Sequence, residues 1–381
     1  MRARFTSPRV SAAVRLLGLV LIAVSVGVES RTPATAARSR ESGVRIGVFG
    51  LFHPRQLSVT AISASALMLR AGDQQVLLER SAGTGEATIS KVGSGVRLMS
   101  AGQKIHGSVL VVSGRNGEPV DFQLAVPGKI KRRYHGTLEI VASNEELIAV
   151  ITMDLETAVA SVVAAENLPD TPMEALKAQA VATRSYFVSG RGRHAGFDFC
   201  DTTHCQFLRE PPVAGGAVAH AVSATAGLVL AYDSKPFPAM YTPSCSGQTR
   251  TPAQIGFRPA GYPYYPVTCE YCQSHPQRWT SRIASRDAAS LRSSDESSRL
   301  AVGRRLGWST VASNDFIMHT EGDETVLHGT GRGHGVGLCQ AGARAMAEQG
   351  ASLQQILGHY YPNTSIVPSS DSPRTISARV R

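Results

Sequence analysis

Between residues 43 and 128 apolar positions recur in short strand-like runs: Val44 to Phe49, Leu57 to Ile62, Gln75 to Leu78, Ser108 to Val112 and Asp121 to Leu124. Gly-containing turns at Ala82 to Gly85 and Ser113 to Gly117 punctuate them, the usual spacing signal of short strands. This stretch reads as a β-rich lobe that serves as scaffold or recognition surface. After the basic segment Lys129 to Arg133 the texture changes to Ala-rich helical sequence, which places a boundary near residue 128. Leu155 to Glu166 predicts one helix. A second starts at Thr171-Pro172-Met173-Glu174, where Thr caps, Pro occupies the first turn and Glu closes a capping box, and it ends at Gly190. On that helix Met173, Leu176, Ala180 and Phe187 lie near one stripe, while Lys177 and Arg184 fall on another face, so it reads as amphipathic.

Further along, a Pro/Gly-rich stretch spans 236–276, a helix is expected over Arg286 to Leu306, and a Gly-rich turn at 331–337 precedes helix-like Gln340 to Glu348. Ser352 and Gln355 form another capping box, and the last helix ends near Tyr360-Tyr361-Pro362. Beyond 364 a Ser/Pro/Arg tail reads as disordered. No internal repeat is present. The fold class is α+β: an N-terminal β-rich lobe over 43–128, then a mixed helical and β-rich domain over 129–364, with the tail at 365–381.

Composition agrees with a globular chain: of 381 residues, 43% are hydrophobic and only 18% are charged. The net charge of +10 would suggest nucleic acid were it not concentrated at one end. Residues 1–41 hold seven Arg against Glu29 and Glu41. No Lys/Arg block elsewhere tracks phosphates, so nucleic-acid binding is not expected. Arg2, Arg4, Arg9 and Arg15, the apolar run Leu16 to Val28 and the small residues Ala34-Thr35-Ala36 have the layout of a signal peptide over 1–36. The apolar run is short of the roughly 20 residues that span a bilayer, although an uncleaved anchor is the alternative.

The residues that could carry chemistry cluster in four places. Glu166 ends an apolar helical run, Val162-Val163-Ala164-Ala165, just before Asn167-Leu168-Pro169. Burial there would raise its pKa and suit it to general acid work, whereas a plain helix end at the surface is the other reading. His194, Cys200, His204 and Cys205 match a tetrahedral zinc ligand count in a Gly-bracketed loop, but a Cys200–Cys205 disulfide fits an exported chain equally well, and adjacent His204 and Cys205 require a sharply bent loop. The pair Cys269 and Cys272, with His275 nearby, could form a partial metal site, a redox pair, or disulfides to Cys245 and Cys339. Finally, Gly331-Arg-Gly-His334-Gly-Val-Gly337 fails as a dinucleotide loop, because position 336 is Val, so no nucleotide cofactor is expected. Its glycines would let backbone approach a ligand, with His334 projecting from the turn. Cys245 with His334 could make a thiol hydrolase pair, although neither Ser244 nor Ser246 sits in a nucleophile elbow.

Taken together, YHGTLEI at 134–140, AAENLPDTPMEALKAQAVATRSYFV at 164–188, CDTTHCQ at 200–206, YTPSCSGQT at 241–249 and GRGHGVGLCQAGA at 331–343 occur in the order found in stage II sporulation protein D and the related amidase enhancers, which the chain resembles over roughly 130–364. The resemblance implies an exported or cell-envelope protein whose substrate is peptidoglycan glycan, cleaved as a lytic transglycosylase cleaves strands freed of stem peptides. It assigns Glu166 as the catalytic acid/base and His194, Cys200, His204 and Cys205 as ligands of a structural zinc ion. The amidase-enhancer branch implies a second possibility, a non-enzymatic activator of a separate cell-wall amidase. Departures from the family pattern are Cys339 where Ser is frequent, Ser246 where a second Gly is usual, and the additional Cys269/Cys272 pair. Tyr241, Ser244, Gln248, His334 and Gln340 are expected to bind substrate in a groove around Glu166.

Overall fold

The computed structural model describes residues 43–62, 66–79, 85–292 and 295–369. The signal-like segment 1–36 and the tail from 370 onward lie outside the described residues. The expected strands form at Gly43–Val48, Gln56–Ala61, Gln74–Leu78, Val109–Ser113 and Val120–Val126. Four more form at Leu67–Ala71, Glu86–Val92, Gly95–Ser100 and Gln103–Gly107. These are short and turn sharply through Gly72, Gly93 and Gly102, all at positive φ, so their alternation is diluted by turn residues.

These strands join one large sheet with Ile130–Ser143 and Glu146–Asp154. The long strand Ile130–Ser143 links its two halves. Its first half pairs antiparallel with Val120–Val126 and its second half with Glu146–Thr152. At the switch, Gly136 takes a φ of 152° and a Cβ there would overlap the Thr152 carbonyl, so only Gly fits. The boundary expected near 128 is therefore a hairpin turn, closed by Lys129 N–H on the Val126 carbonyl at 3.0 Å. One apolar core takes in residues from Val44 to Val222 across it, because neither side buries its sheet face alone. The basic run at 129–133 lies on this strand, where Arg132 pairs with Asp201 and Arg133 with Glu210.

Two helices cover the sheet. Helix α1 (Leu155–Glu166) starts where the Asp154 carboxylate accepts from Thr157 N–H at 2.9 Å, and it stops at Asn167, whose backbone is extended. Helix α2 (Met173–Ser189) begins after Pro172 and ends at Gly190. The capping box expected at its start does not form: Glu174 reaches instead to Lys177 at 2.7 Å and to the backbone N–H of Leu353 at 2.8 Å.

The polar face expected on α2 is likewise absent at Arg184, which is fully buried. Leu176, Ala180 and Phe187 pack into the first core, while Ala178, Val181 and Ala182 pack into a second core with Phe237, Tyr262, Val336 and Leu338. With apolar neighbours on both sides, α2 takes Arg184 inside. Its guanidinium is neutralised by a bidentate pair with Glu156 on α1, Nε to Oε1 at 2.8 Å and Nη2 to Oε2 at 2.6 Å, and it also donates to the Leu228 carbonyl at 3.0 Å.

The C-terminal helices Gln340–Glu348 and Leu353–Tyr360 complete the second core, and the latter carries the Ser352/Gln355 capping box. The helix expected over 286–306 is broken into Ser285–Ala288 and Glu296–Leu306. Asp295 caps the second piece through Ser297 N–H at 2.9 Å, since Asp and Ser compete better for caps than for helix interiors. That piece packs on a three-stranded sheet, Arg278–Ala284, Glu324–Thr330 and Phe316–Glu321, around a small third core. The start of the tail is also ordered: Ser365–Pro368 pairs antiparallel with the strand Leu228–Tyr232.

The Arg184–Glu156 pair is asymmetric, with side-chain exposures of 0% and 37%. Replacing Glu156 by Gln strands a buried cation and should cost about 3–5 kcal/mol, whereas Arg184→Met leaves a carboxylate that water can reach and should cost about 1–3 kcal/mol. Urea denaturation of the two variants measures both. Equal costs would refute this asymmetry.

Candidate functional site

Helix α1 delivers Glu166 to the wall of a cavity of about 560 Å³. The surrounding segments are Thr203–Phe207, Pro238–Pro243, the turn Arg332-Gly333-His334 and, from the small third sheet region, Glu296, Arg299 and Trp308. Burial pushes the Glu166 carboxyl up to about 7, against the pull of the Arg209 guanidinium and a hydrogen bond from Phe207 N–H. Its place at the C-terminal end of α1, the negative end of the helix dipole, acts in the same direction as burial. Glu166 is a half-buried helix end that faces the cavity.

Tyr241 lines the cavity and hydrogen-bonds through its hydroxyl to Gln206. Burial, reinforced by the Glu166 charge, raises its phenol well above the usual range. Gln340 lies outside the cavity lining, but its Nε2 donates to the Glu166 main-chain oxygen at 3.1 Å and so fixes the end of α1. His334 does line the cavity. Its Nδ1 accepts from Val336 N–H at 3.0 Å, and burial depresses it to about 4 despite the Glu296 charge and a bond to the Tyr241 carbonyl. It is therefore a neutral imidazole at pH 7.

Two expected groove residues lie elsewhere. Ser244 is buried behind the wall, its hydroxyl 3.5 Å from the Cys272 sulfur, and Gln248 is exposed on a bridge to Thr268 away from the lining residues. The Cys245/His334 hydrolase pair also fails. The Cys245 thiol faces Cys269, Cys272 and Cys339, whereas the His334 ring serves Val336 and Tyr241. The glycines of 331–337 also admit close contact with other protein segments. A Cβ at Gly337 would strike the Met240 carbonyl and one at Gly333 the Thr242 hydroxyl. The turn is pressed against 240–246, with Thr242 Oγ1 donating to the Arg332 carbonyl at 2.9 Å and accepting from Gly335 N–H at 3.1 Å.

The residues that the sequence reading missed are Glu296, Arg299 and Asn314. Burial raises the Glu296 carboxyl, but the hydrogen bonds and charge of Arg299, with His334 and Asn314, outweigh it and hold the group below the usual range. Arg299 grips it at 2.7 and 2.6 Å, and Asn314 donates to it at 2.5 Å. In sequence this is an i,i+3 acid–base pair on a short helix, indistinguishable from a solvated one. Glu166 and Glu296 are the two carboxyls among the described lining residues, and only Glu166 is free to trade a proton.

The loop that follows α2 supplies the next wall. It turns through Gly192 and Gly196 at positive φ and rejoins the sheet where Phe199–Cys200 pairs with Ile46–Gly47. A tight turn, Cys205 N–H to the Thr202 carbonyl at 3.0 Å, provides the bend that adjacent His204 and Cys205 require. His194 Nε2 lies 3.1 Å from Cys205 Sγ, and His204 Nδ1 lies 3.4 Å from Cys205 Sγ and 3.7 Å from Cys200 Sγ. All four donor atoms are within 4.8 Å of one another, and neither cysteine is bridged. Two imidazoles and two thiols converging on one point fit the donor set of a closed tetrahedral zinc site.

Residues 143–232, which contain α1, α2 and this loop, match the sequence family described as stage II sporulation protein (SpoIID). The chain is 29% identical to an uncharacterised protein of Brachyspira hyodysenteriae over 267 residues, covering 61% of this chain and 72% of that protein. It is 27% identical to stage II sporulation protein D of Bacillus amyloliquefaciens over 259 residues, 57% of this chain and 75% of that protein. A shorter match, 36% identity over 61 residues, links it to an amidase enhancer of Bacillus subtilis, covering 16% of this chain and 9% of that protein.

The raised Glu166 pKa has a consequence for stability. Between its ordinary value of 4.5 and about 7 the native state holds a proton that the unfolded state releases, so stability falls as pH rises through that window. Glu166→Gln cannot ionise and escapes this loss, and well above pH 7 the variant should be the more stable by about 3 kcal/mol. Denaturation of both proteins from pH 4 to 8 tests this. A difference that does not change with pH would contradict the assigned environment.

Proposed function

We propose that this chain, which carries a stage II sporulation protein D domain, is a cell-wall lytic transglycosylase that cleaves peptidoglycan glycan strands freed of stem peptides, with Glu166 as the single acid/base. The observation that supports this reading most is the inequality of the two carboxyls in the cavity. A hydrolase of glycosidic bonds typically needs two working carboxylates. Here Glu296 is committed to Arg299 and Asn314, while Glu166 has a pKa of about 7, suited to give and retake one proton.

The step uses that one group twice. Protonated Glu166 donates to the glycosidic oxygen as the bond from the anomeric carbon breaks. The resulting carboxylate then takes the proton of the muramyl 6-hydroxyl, whose oxygen bonds to the anomeric carbon and closes a 1,6-anhydro ring. Glu166 ends protonated, and no water is consumed. The Tyr241 and Gln206 side chains offer hydrogen bonds at the cavity wall, and neutral His334, its ring nitrogens engaged by Val336 and Tyr241, joins Phe257, Tyr264 and Trp308 in offering uncharged ring surface to sugars. Arg193, Arg258 and Arg332 also line the cavity. Removal of stem peptides frees a lactyl carboxylate on each muramyl unit, which this positive rim complements.

In the same reading the His194, Cys200, His204, Cys205 set holds a structural zinc ion, with four protein ligands and no open position for a water. Its role is to fix Gln206, Phe207 and Arg209, the groups that contact Tyr241 and Glu166.

Glu166→Gln should lower formation of anhydro-muramyl ends from peptide-free glycan by at least about 10²–10⁴-fold, and wild-type kcat/KM should decline tenfold per pH unit above about 7 as the acid form is lost. Mass spectrometry of the fragments tests both. Undiminished cleavage by the variant would remove Glu166 from its role, while inactivity of the wild type, with stimulation of an added amidase, would favour the enhancer alternative.

A second expectation concerns the metal: His204→Ala should release the zinc of this loop and lower Tm. Metal analysis alongside differential scanning calorimetry checks it, and unchanged zinc content would exclude His204 as a ligand.

A further inference from the structure

Four cysteines outside the proposed chemistry converge behind the 331–340 wall. Cys245 lies in the segment after the strand Tyr241–Thr242, Cys269 and Cys272 bracket the first turn of the helix Glu270–Ser274, and Cys339 ends the strand Leu338–Cys339 just before Gln340. All are buried and unbridged, and their sulfurs lie within 4.8 Å of one another. The Cys272 and Cys339 sulfurs are 3.5 Å apart.

We propose that Cys245, Cys269, Cys272 and Cys339 bind a second zinc ion as a closed all-thiolate site. Two sulfurs at about 2.3 Å from one tetrahedral ion are about 3.8 Å apart, close to the observed separation. Disulfides would sort the four into two pairs at about 2.05 Å each, whereas here all four sulfurs surround one point. A polynuclear iron–sulfur cluster would spread the sulfurs further, since each would bind a different metal atom.

The surroundings suit thiolates. Cys245 N–H donates to the Cys339 sulfur at 3.3 Å, and the Tyr360 and Ser244 hydroxyls lie 3.4 and 3.5 Å from the Cys269 and Cys272 sulfurs. Such donors stabilise the excess negative charge of four thiolates around a dication. The packing is close: a Cβ at Gly342 would strike both the Cys269 sulfur and the Tyr360 hydroxyl.

The ion would tie together three segments that no long element joins: the 241–248 segment, the one-turn helix at 270–274 and the start of the helix Gln340–Glu348. Gln340, next to a ligand, holds the end of α1. The site is thus a brace for the segments behind the 331–334 turn of the cavity, and its assignment is independent of which reaction the cavity performs.

The test is metal content and sulfur chemistry of the purified full chain. Elemental mass spectrometry should find about two zinc per chain, with about one remaining in His204→Ala and about one in Cys272→Ser. In His204→Ala the residual zinc should show an all-sulfur X-ray absorption spectrum, which separates this site from the histidine-containing one even should Cys272→Ser fail to fold. Three results would overturn the proposal: residual zinc in His204→Ala with nitrogen ligands or no zinc at all, iron in place of zinc, or thiol mapping of the wild type that finds disulfides among these four cysteines.

Discussion

The cavity depends on one buried helix with apolar neighbours on both sides. Helix α2 lies between the sheet core and the C-terminal helical core, and the single strong charge it carries inward, Arg184, is neutralised by Glu156 in the first turn of α1. The same carboxylate accepts from Gly227 N–H at 3.3 Å, and Arg184 reaches the Leu228 carbonyl. The pair therefore fixes α1 relative to both α2 and the strand Leu228–Tyr232. Since Glu166 is the last residue of α1, its position follows from this clamp at the helix start and from Gln340 at the helix end.

Around that fixed point the cavity sorts its titratable groups by environment rather than by residue type. Glu166 and Glu296 are both glutamates in an apolar wall. One meets burial that outweighs the Arg209 charge and exchanges its proton at about pH 7, while the other has a bidentate guanidinium and an amide and stays ionised. His334 loses its charge to the same desolvation. The wall thus presents one exchangeable proton, one permanently paired carboxylate and one neutral imidazole. This division is what makes a single-acid mechanism a better fit to the cavity than a two-carboxylate one.

The walls themselves are built from segments with little regular structure, 190–209 and 240–273, which hold two and three cysteines of a converging donor set respectively. Long irregular loops have few backbone hydrogen bonds to hold them. Side-chain clusters and close backbone contacts, such as that between 331–337 and 240–246, do the holding instead. The glycines there serve close contact between protein segments.

Local rules sufficed for the features that depend on neighbours in the chain. The first strands, the ends of α1 and α2, the Ser352 capping box and the α+β class follow from turn residues, caps and period. The gathering of His194, Cys200, His204 and Cys205 was legible too, because all four lie in one loop. What the sequence could not settle was every feature that depends on distant segments. Arg184 reads as a surface cation until a second core covers it. Ser244 reads as a groove residue until the segment carrying it turns inward. The boundary near 128 reads as a domain edge until one strand is seen to pair on both sides of it. Glu296 and the four-cysteine cluster draw on residues separated by as many as 94 positions, and local patterning has no signal at that range. Burial decides charge and role alike, and burial is set by what packs from elsewhere in the chain.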